Sequence, residues 1–166
     1  MLIQNKLESL PISFVKSNTA IYLWDLKKGV PSSIRIDTTD FPVGIQGTIY
    51  SGIDQTFKTL GTSIFFPAES LYDTLYLNTK IEKNKIQIAD ALTPLKKPIT
   101  VTFKPATSIV SPDKTAVYNH DRKFLGGTWR NGEVTFKTDI LGDFQVLSDT
   151  IPPKATLVTA RLSASA

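Results

Sequence analysis

The segment Gly126–Ser148 reads GGTWRNGEVTFKTDILGDFQVLS and has β-strand patterning on both sides of a turn signal. The turn signal is Asn131-Gly132, because both residues tolerate the positive φ that a type I′ turn requires. A two-residue turn at this point places Trp129 opposite Val134, and residues paired across antiparallel strands share a face. The segment therefore predicts a β-hairpin whose register is set by its turn.

The two faces of this hairpin differ in polarity, since side chains alternate between faces along a strand. The apolar face holds Trp129, Val134 and Phe136, and the polar face holds Thr128, Thr135 and Lys137. Gly142 then interrupts the pattern, and Phe144 and Val146 resume it. We expect a third strand there, so that the segment forms a half-buried antiparallel meander of the kind found in β-sandwiches.

Composition places the chain among globular domains. With 166 residues and 41% hydrophobic side chains, it is long enough for one domain with a substantial core. The absence of cysteine excludes disulfides, thiolate nucleophiles and cysteine metal sites. The net charge of +4 is mild and the lysines are scattered, which argues against nucleic acid as a partner. No apolar run approaches the ~20 residues of a membrane span.

The remaining strands follow one another at close spacing, without helical periodicity. Thr19–Leu26 has apolar residues of both parities, which predicts a strand buried on both sides or lying at a domain contact. Thr74–Glu82 is the longest alternating stretch, and Pro67–Asp73 has the composition of a single short helical turn. We therefore predict an all-β fold, an antiparallel β-sandwich of Ig-like or ZU-like type, with at most one short helical turn.

The expected domain organisation has a break near the double proline at 152–153, which stiffens the chain and blocks strand pairing. We assign residues 1–149 to the sandwich. Residues 1–36 either belong to the sandwich or are contributed by, or shared with, a preceding Ig-like domain. Residues 150–166 are expected to be a proline-rich linker and the first strand of a following domain.

Catalytic chemistry has few candidates in this sequence. His120 is the single histidine, and no nucleophile elbow accompanies it. One histidine without cysteine does not supply the usual three zinc ligands. Asp90, Asp113 and Asp121 are carboxylates of predicted loops, but their spacing is not that of a calcium-binding loop. We therefore expect no catalytic residue, no metal site and no cofactor.

Aromatic residues offer an alternative, a platform on which sugar rings stack. Tyr72 and Tyr76 straddle a predicted turn and are the best candidates for an exposed pair, and Trp24 is a third. Asn78 and Lys80 lie nearby in sequence and carry groups that hydrogen-bond sugar hydroxyls. The other interpretation is that these aromatics pack in the core or at a domain seam, as the hairpin register predicts for Trp129. Exposure separates the two interpretations.

Three stretches together resemble a known family. They are Asn18–Pro31, Phe66–Leu77, and Gly126–Trp129 combined with Phe144–Pro153. In this order they resemble the region downstream of the catalytic domain in LytM-type (lysostaphin-like) zinc metallopeptidases of certain Gram-negative bacteria. The zinc motifs of that family, His-x₃-Asp and His-x-His, do not occur here. The resemblance therefore implies architecture and location without catalysis.

A second resemblance involves Pro67–Asp73 and the strand after it, which are similar to ZU-type sandwiches of ankyrins and netrin receptors. Some of their relatives cleave themselves at His-Phe-Ser, a tripeptide that this chain lacks, so we expect no autoproteolysis. Together the resemblances imply a non-catalytic accessory module of a cell-envelope peptidase, in the periplasm or at the cell surface. Its expected partners are flanking domains of the parent protein and, in the alternative, peptidoglycan or another glycan.

Overall fold

The computed structural model describes residues 2–3, 6–7, 9–107, 109 and 111–148. Within them, two three-residue 3₁₀ turns lie at Leu26–Lys28 and Pro112–Lys114. The strands are β1 Leu2–Ile3, β2 Lys6–Leu7, β3 Phe14–Lys16, β4 Thr19–Ile21, β5 Ser33–Ile36, β6 Thr39–Pro42, β7 Gly47–Ile49, β8 Gln55–Thr59, β9 Thr62–Phe66, β10 Leu75–Leu77, β11 Thr79–Glu82, β12 Lys85–Ile88, β13 Pro94–Phe103, β14 Thr115–Asn119, β15 Phe124–Gly126, β16 Thr128–Arg130, β17 Glu133–Ile140 and β18 Gly142–Ser148.

Two five-stranded antiparallel sheets form the body of the fold. Sheet 1 has the order β8-β9-β13-β17-β16, and sheet 2 has the order β11-β12-β18-β14-β15. Their inner faces share one core: Phe136 of sheet 1 contacts Phe144 of sheet 2, with ring centroids 5.1 Å apart. The sheets therefore pack as layers around buried side chains, which confirms the predicted all-β sandwich.

The hairpin in sheet 1 has the predicted register. Trp129 pairs with Val134 and Arg130 with Glu133. The turn residues have positive φ, 53° at Asn131 and 79° at Gly132, as a type I′ turn requires. Val134 and Phe136 are buried, and Trp129 is partly buried against the core. The face assignments made from the sequence are therefore confirmed.

The predicted meander is wrong at its third strand. β18 does not pair with β17; it lies in the middle of sheet 2, between β12 and β14. Leu141 is fully buried where the chain passes between the sheets, and Gly142 follows it with φ 108°. Phe144 and Val146 are buried as expected, but they fill the core from the opposite side.

Two further predictions along the chain need correction. The alternation in Thr74–Glu82 continues through Asn78, but the strand does not. β10 pairs with β7, and β11 pairs with β12. At the break between them, the Gln46 backbone N–H donates to the Leu77 carbonyl, and the Gln46 side-chain oxygen accepts from the Thr79 N–H, one on each side of Asn78. The helical turn expected at Pro67–Asp73 is instead a hydrogen-bonded turn and a bend, and the 3₁₀ turns lie elsewhere.

The amino-terminal segment makes its own small sheets, β2-β1-β5-β6 and β3-β4. The burial on both faces expected for Thr19–Leu26 is not found: only Thr19–Ile21 is strand, and Tyr22 and Leu23 are exposed. The core cluster begins at Ile49. The proposed boundaries at 36 and 149 remain predictions, and residues 149–166 lie outside the described part of the chain.

Candidate functional site

The outer side of sheet 2 is concave, with a cavity of about 730 Å³ above it. The strand register lines up one row of outward side chains, Glu82, Lys85, Gln145 and Tyr118, and a second row, Lys80, Gln87 and Asp143. All of these residues line the cavity, and the loop between β14 and β15 adds His120 and Arg122. Four strands and one loop therefore build a polar surface with an aromatic end.

The aromatic end is the pair Tyr118 and Phe124. Their ring centroids lie 5.6 Å apart at an interplanar angle of 72°, an edge-to-face contact. Phe124 is 64% exposed. The loop between them is held by Asn119, whose Oδ1 accepts from the Lys123 backbone N–H at 2.8 Å and whose backbone N–H donates to the Lys123 carbonyl at 3.1 Å. Of this pair, Tyr118 lines the cavity, and Phe124 packs against it from outside the lining.

Charge on this surface is largely paired. Lys80 Nζ lies 2.6 Å from Glu82 Oε1, and both side chains are exposed. The hydrogen bond from Lys80, followed by its charge, lowers the pKa of Glu82, and the same contacts raise the pKa of Lys80. His120 Nε2 lies 3.1 Å from Asp121 Oδ2. Lys80 and Glu82 therefore form an exposed ion pair at the cavity, and Lys85, Arg122 and Asp143 add further charges to its lining.

The tyrosines predicted for sugar stacking lie away from this cavity. Tyr72 is 64% exposed, as expected, and Lys96 Nζ lies 4.7 Å from its ring centroid. Tyr76 is half-buried on β10, opposite Thr48 of β7. Of the predicted pair, therefore, only Tyr72 is largely exposed.

The other three predicted residues are dispersed. Trp24 is partly buried, and its Nε1 donates to the Gly29 carbonyl at 2.8 Å, while Lys28 Nζ lies 5.5 Å from its ring. Lys80 lines the cavity above sheet 2, and exposed Asn78 lines a neighbouring one of about 440 Å³. Trp24, Tyr72 and Tyr76 line neither cavity. The predicted set is therefore not one site, although Asn78 and Lys80 border adjoining cavities.

Sequence reasoning did not single out the aromatic pair of sheet 2. A signal existed: Tyr118 lies between buried Val117 and Asn119, so alternation points it outward, and Phe124 is the first apolar residue after a polar loop. Outward parity alone does not show that two other strands supply the amides Gln87 and Gln145 beside it.

The described ranges also bear on metal binding and membrane crossing. Across 2–3, 6–7, 9–107, 109 and 111–148, no three histidine, aspartate or glutamate side chains come close enough to hold a metal ion. In the same part of the chain, no helix has the length and apolarity that a membrane crossing needs.

Comparison with known proteins agrees with the sandwich. Residues 48–149, more than half of the chain, match the family model for the Zu5-like domain. The matched segment begins in β7 and contains both sheets. None of the curated proteins gives a significant match. Since the match covers both sheets and most of the core, the chain belongs to the Zu5-like domain family.

Proposed function

We propose that this chain is a non-catalytic accessory module of a cell-envelope peptidase. It works in the periplasm or at the cell surface, where it positions the enzyme near peptidoglycan or links flanking domains. The observation that carries the proposal is the Zu5-like sandwich over residues 48–149. It combines with the resemblance of Asn18–Pro31, Phe66–Leu77 and the carboxy-terminal stretches to the region that follows LytM-type catalytic domains.

The electrostatics support an accessory role. Displaced pKa values mark functional sites when burial and a charge partner in a cleft cause them. In the described part of the chain, the shifts fall on exposed ion pairs: Arg35 with Asp40, and Lys80 with Glu82. Each shift is explained by its own partner, so these groups supply no reason to assign acid–base chemistry.

The test is incubation of the chain with purified peptidoglycan sacculi in zinc-containing buffer. We expect no release of soluble muropeptides above the level of a heat-denatured sample. Release that grows with protein concentration and stops on chelation would overturn the proposal. A known lysostaphin-like enzyme serves as the positive control for the substrate.

The second candidate function is glycan binding by exposed aromatics. The exposure of Tyr72 favours it, because an uncovered ring face is what stacks on a sugar. In this interpretation Tyr72 and Tyr76, with Trp24 as a further platform, stack on sugar rings. Asn78 and Lys80 hydrogen-bond the hydroxyls. Lys96 already lies over Tyr72, which restricts stacking to the free face of that ring.

Co-sedimentation with sacculi tests this candidate. We expect the Tyr72→Ala, Tyr76→Ala double variant to lose binding that the parent chain shows. The matched control is Tyr22→Ala, which removes another exposed tyrosine from the amino-terminal segment. Circular dichroism confirms that each variant is folded. Equal binding by the parent and the double variant would rule out this pair as the binding site.

A further inference from the structure

We propose that the concave outer surface of sheet 2 binds an uncharged oligosaccharide, with Tyr118 as the stacking ring and Gln87 and Gln145 as the hydroxyl-binding groups. This inference goes beyond the glycan-binding candidate, because its site lies on sheet 2 and not at the predicted tyrosines. It commits to one ligand chemistry, a chain of neutral polyhydroxylated rings. Three features of the surface lead to it.

The first feature is the pair of amides. Gln87 on β12 and Gln145 on β18 both point outward into the cavity. Within the described residues, neither side-chain amide has a hydrogen-bond partner. Each amide offers an N–H donor and a carbonyl acceptor, which suits neighbouring sugar hydroxyls that both donate and accept. The register places them on adjacent strands as diagonal neighbours, about 7–8 Å apart.

The second feature is the aromatic wall. Tyr118 stands in the same row as Gln145, and the edge-to-face contact with Phe124 holds its ring orientation. An aromatic ring that is fixed before binding loses little conformational freedom when a ligand stacks on it. The apolar C–H face of a pyranose contacts such a ring while its hydroxyls reach the amides. Concave sites with a few placed polar groups are the usual form of small-ligand pockets.

The third feature is charge balance. Lys80 and Glu82 neutralise each other across 2.6 Å, and His120 lies against Asp121. Of the other charged residues that line the cavity, Lys85 and Arg122 are positive and Asp143 is negative, so the lining has a small net charge of +1 with His120 neutral. A phosphate-rich or polyanionic ligand requires a dominant positive field, which this mixture does not provide. The balance therefore favours an uncharged ligand over nucleic acid or a charged polymer.

The test is isothermal titration of the full chain against four soluble uncharged tetrasaccharides, built from glucose, N-acetylglucosamine, xylose and mannose. We expect at least one to bind. The Gln87→Ala, Gln145→Ala variant should weaken that binding about tenfold or more. Tyr118→Ala should weaken it similarly. The amide variant changes solvent-facing groups, so the test does not depend on the folding of the tyrosine variant.

The matched control is Tyr22→Ala, which removes an exposed tyrosine outside the cavity and should bind as the parent does. Retention of binding in the amide variant, with loss in a Tyr72→Ala, Tyr76→Ala variant, would overturn the site on sheet 2 and leave glycan binding at the predicted tyrosines. Absence of binding by the parent to all four sugars would overturn the inference. The accessory role near peptidoglycan would still stand, because it does not require sugar recognition by this chain.

Discussion

Replacing Gly142 by alanine tests how the chain passes from sheet 1 to sheet 2. β17 ends at Ile140 and β18 begins at Gly142, where the backbone has φ 108°. Residues with a side chain resist this conformation. A Cβ added at Gly142 would lie 2.8 Å from the Ala91 Cβ and 3.3 Å from the Ala91 Cα. Both distances are shorter than an ordinary carbon–carbon contact of ~3.5–4.0 Å.

Two costs add in this variant. Backbone strain contributes about 1–3 kcal/mol, and overpacking against Ala91 contributes about 1–3 kcal/mol more. We therefore expect Gly142→Ala to lower the free energy of unfolding by about 2–6 kcal/mol. The control is Gly132→Ala, where φ is 79° and no atom lies within 4 Å of the added Cβ. Only the left-handed backbone is penalised there, at about 1–2 kcal/mol.

Urea unfolding followed by tryptophan fluorescence measures both variants. The chain has two tryptophans, so a Trp24→Phe background leaves Trp129 to report on the core. Adding Ala91→Gly to Gly142→Ala should recover part of the loss, and a double-mutant cycle isolates that coupling. A loss no greater than that of Gly132→Ala, or a cycle without coupling, would refute the close approach at the crossover.

Three other predictions concern the hairpin and the ion pair. Trp129→Phe should cost about 1–2 kcal/mol in urea, because the Thr115 carbonyl loses its indole donor at 2.9 Å; an unchanged midpoint would contradict that bond. Gly132→Val should destabilise the fold more than Gly132→Ala does, because a β-branched residue resists positive φ. Equal stability of the two variants would mean that the turn does not lie at Gly132. Lys80→Ala should raise the pKa of Glu82 toward its ordinary 4.5, measured by carboxyl NMR. Because folding lowers the pKa of Glu82, the ion pair stabilises the fold at neutral pH, and this stabilisation disappears as the pH falls through the lowered pKa. The stability of the Lys80→Ala variant should lack this part of the pH dependence.

The hairpin was predictable because its determinants are local. Asn131 and Gly132 specify the turn type, and the turn type specifies the pairing of Trp129 with Val134. Alternation then separates buried from exposed residues without reference to the rest of the chain. Local chemistry therefore sufficed wherever one turn or one alternation fixed the outcome.

The local sequence does not determine the sheet to which a strand belongs. Phe144 and Val146 alternate in the same way whether β18 continues sheet 1 or crosses to sheet 2, since both sheets bury one face. The crossover depends on the close approach of Gly142 to Ala91, residues far apart in sequence. The break at Asn78 likewise depends on Gln46, a residue of another segment. The alternation of side chains along the sequence predicts neither of these two contacts.

The candidate site shows the same difference between features that local sequence determines and features that depend on distant segments. The exposure of Tyr72 was predicted from its position beside a turn and is confirmed. The surface of sheet 2 requires the register of four strands that come from three separate parts of the chain. Gln87 and Tyr118 line one cavity although they lie two strands apart, because β18 pairs with both β12 and β14. Such a surface cannot be derived from spacing along one segment.

The two outer faces of the sandwich differ in a way that bears on function. On sheet 1, Thr102 and Thr135 are paired across strands and their hydroxyls are hydrogen-bonded at 2.8 Å. On sheet 2, the outward amides of Gln87 and Gln145 have no such partner among the described residues. A polar group that water satisfies in the free protein is available to a ligand, whereas a bonded pair must first be broken. The inner faces, which make this chain a Zu5-like sandwich, are committed to the core. If the proposed ligand binds an outer face, we expect it on sheet 2, where the two amides lie in the same cavity as Tyr118.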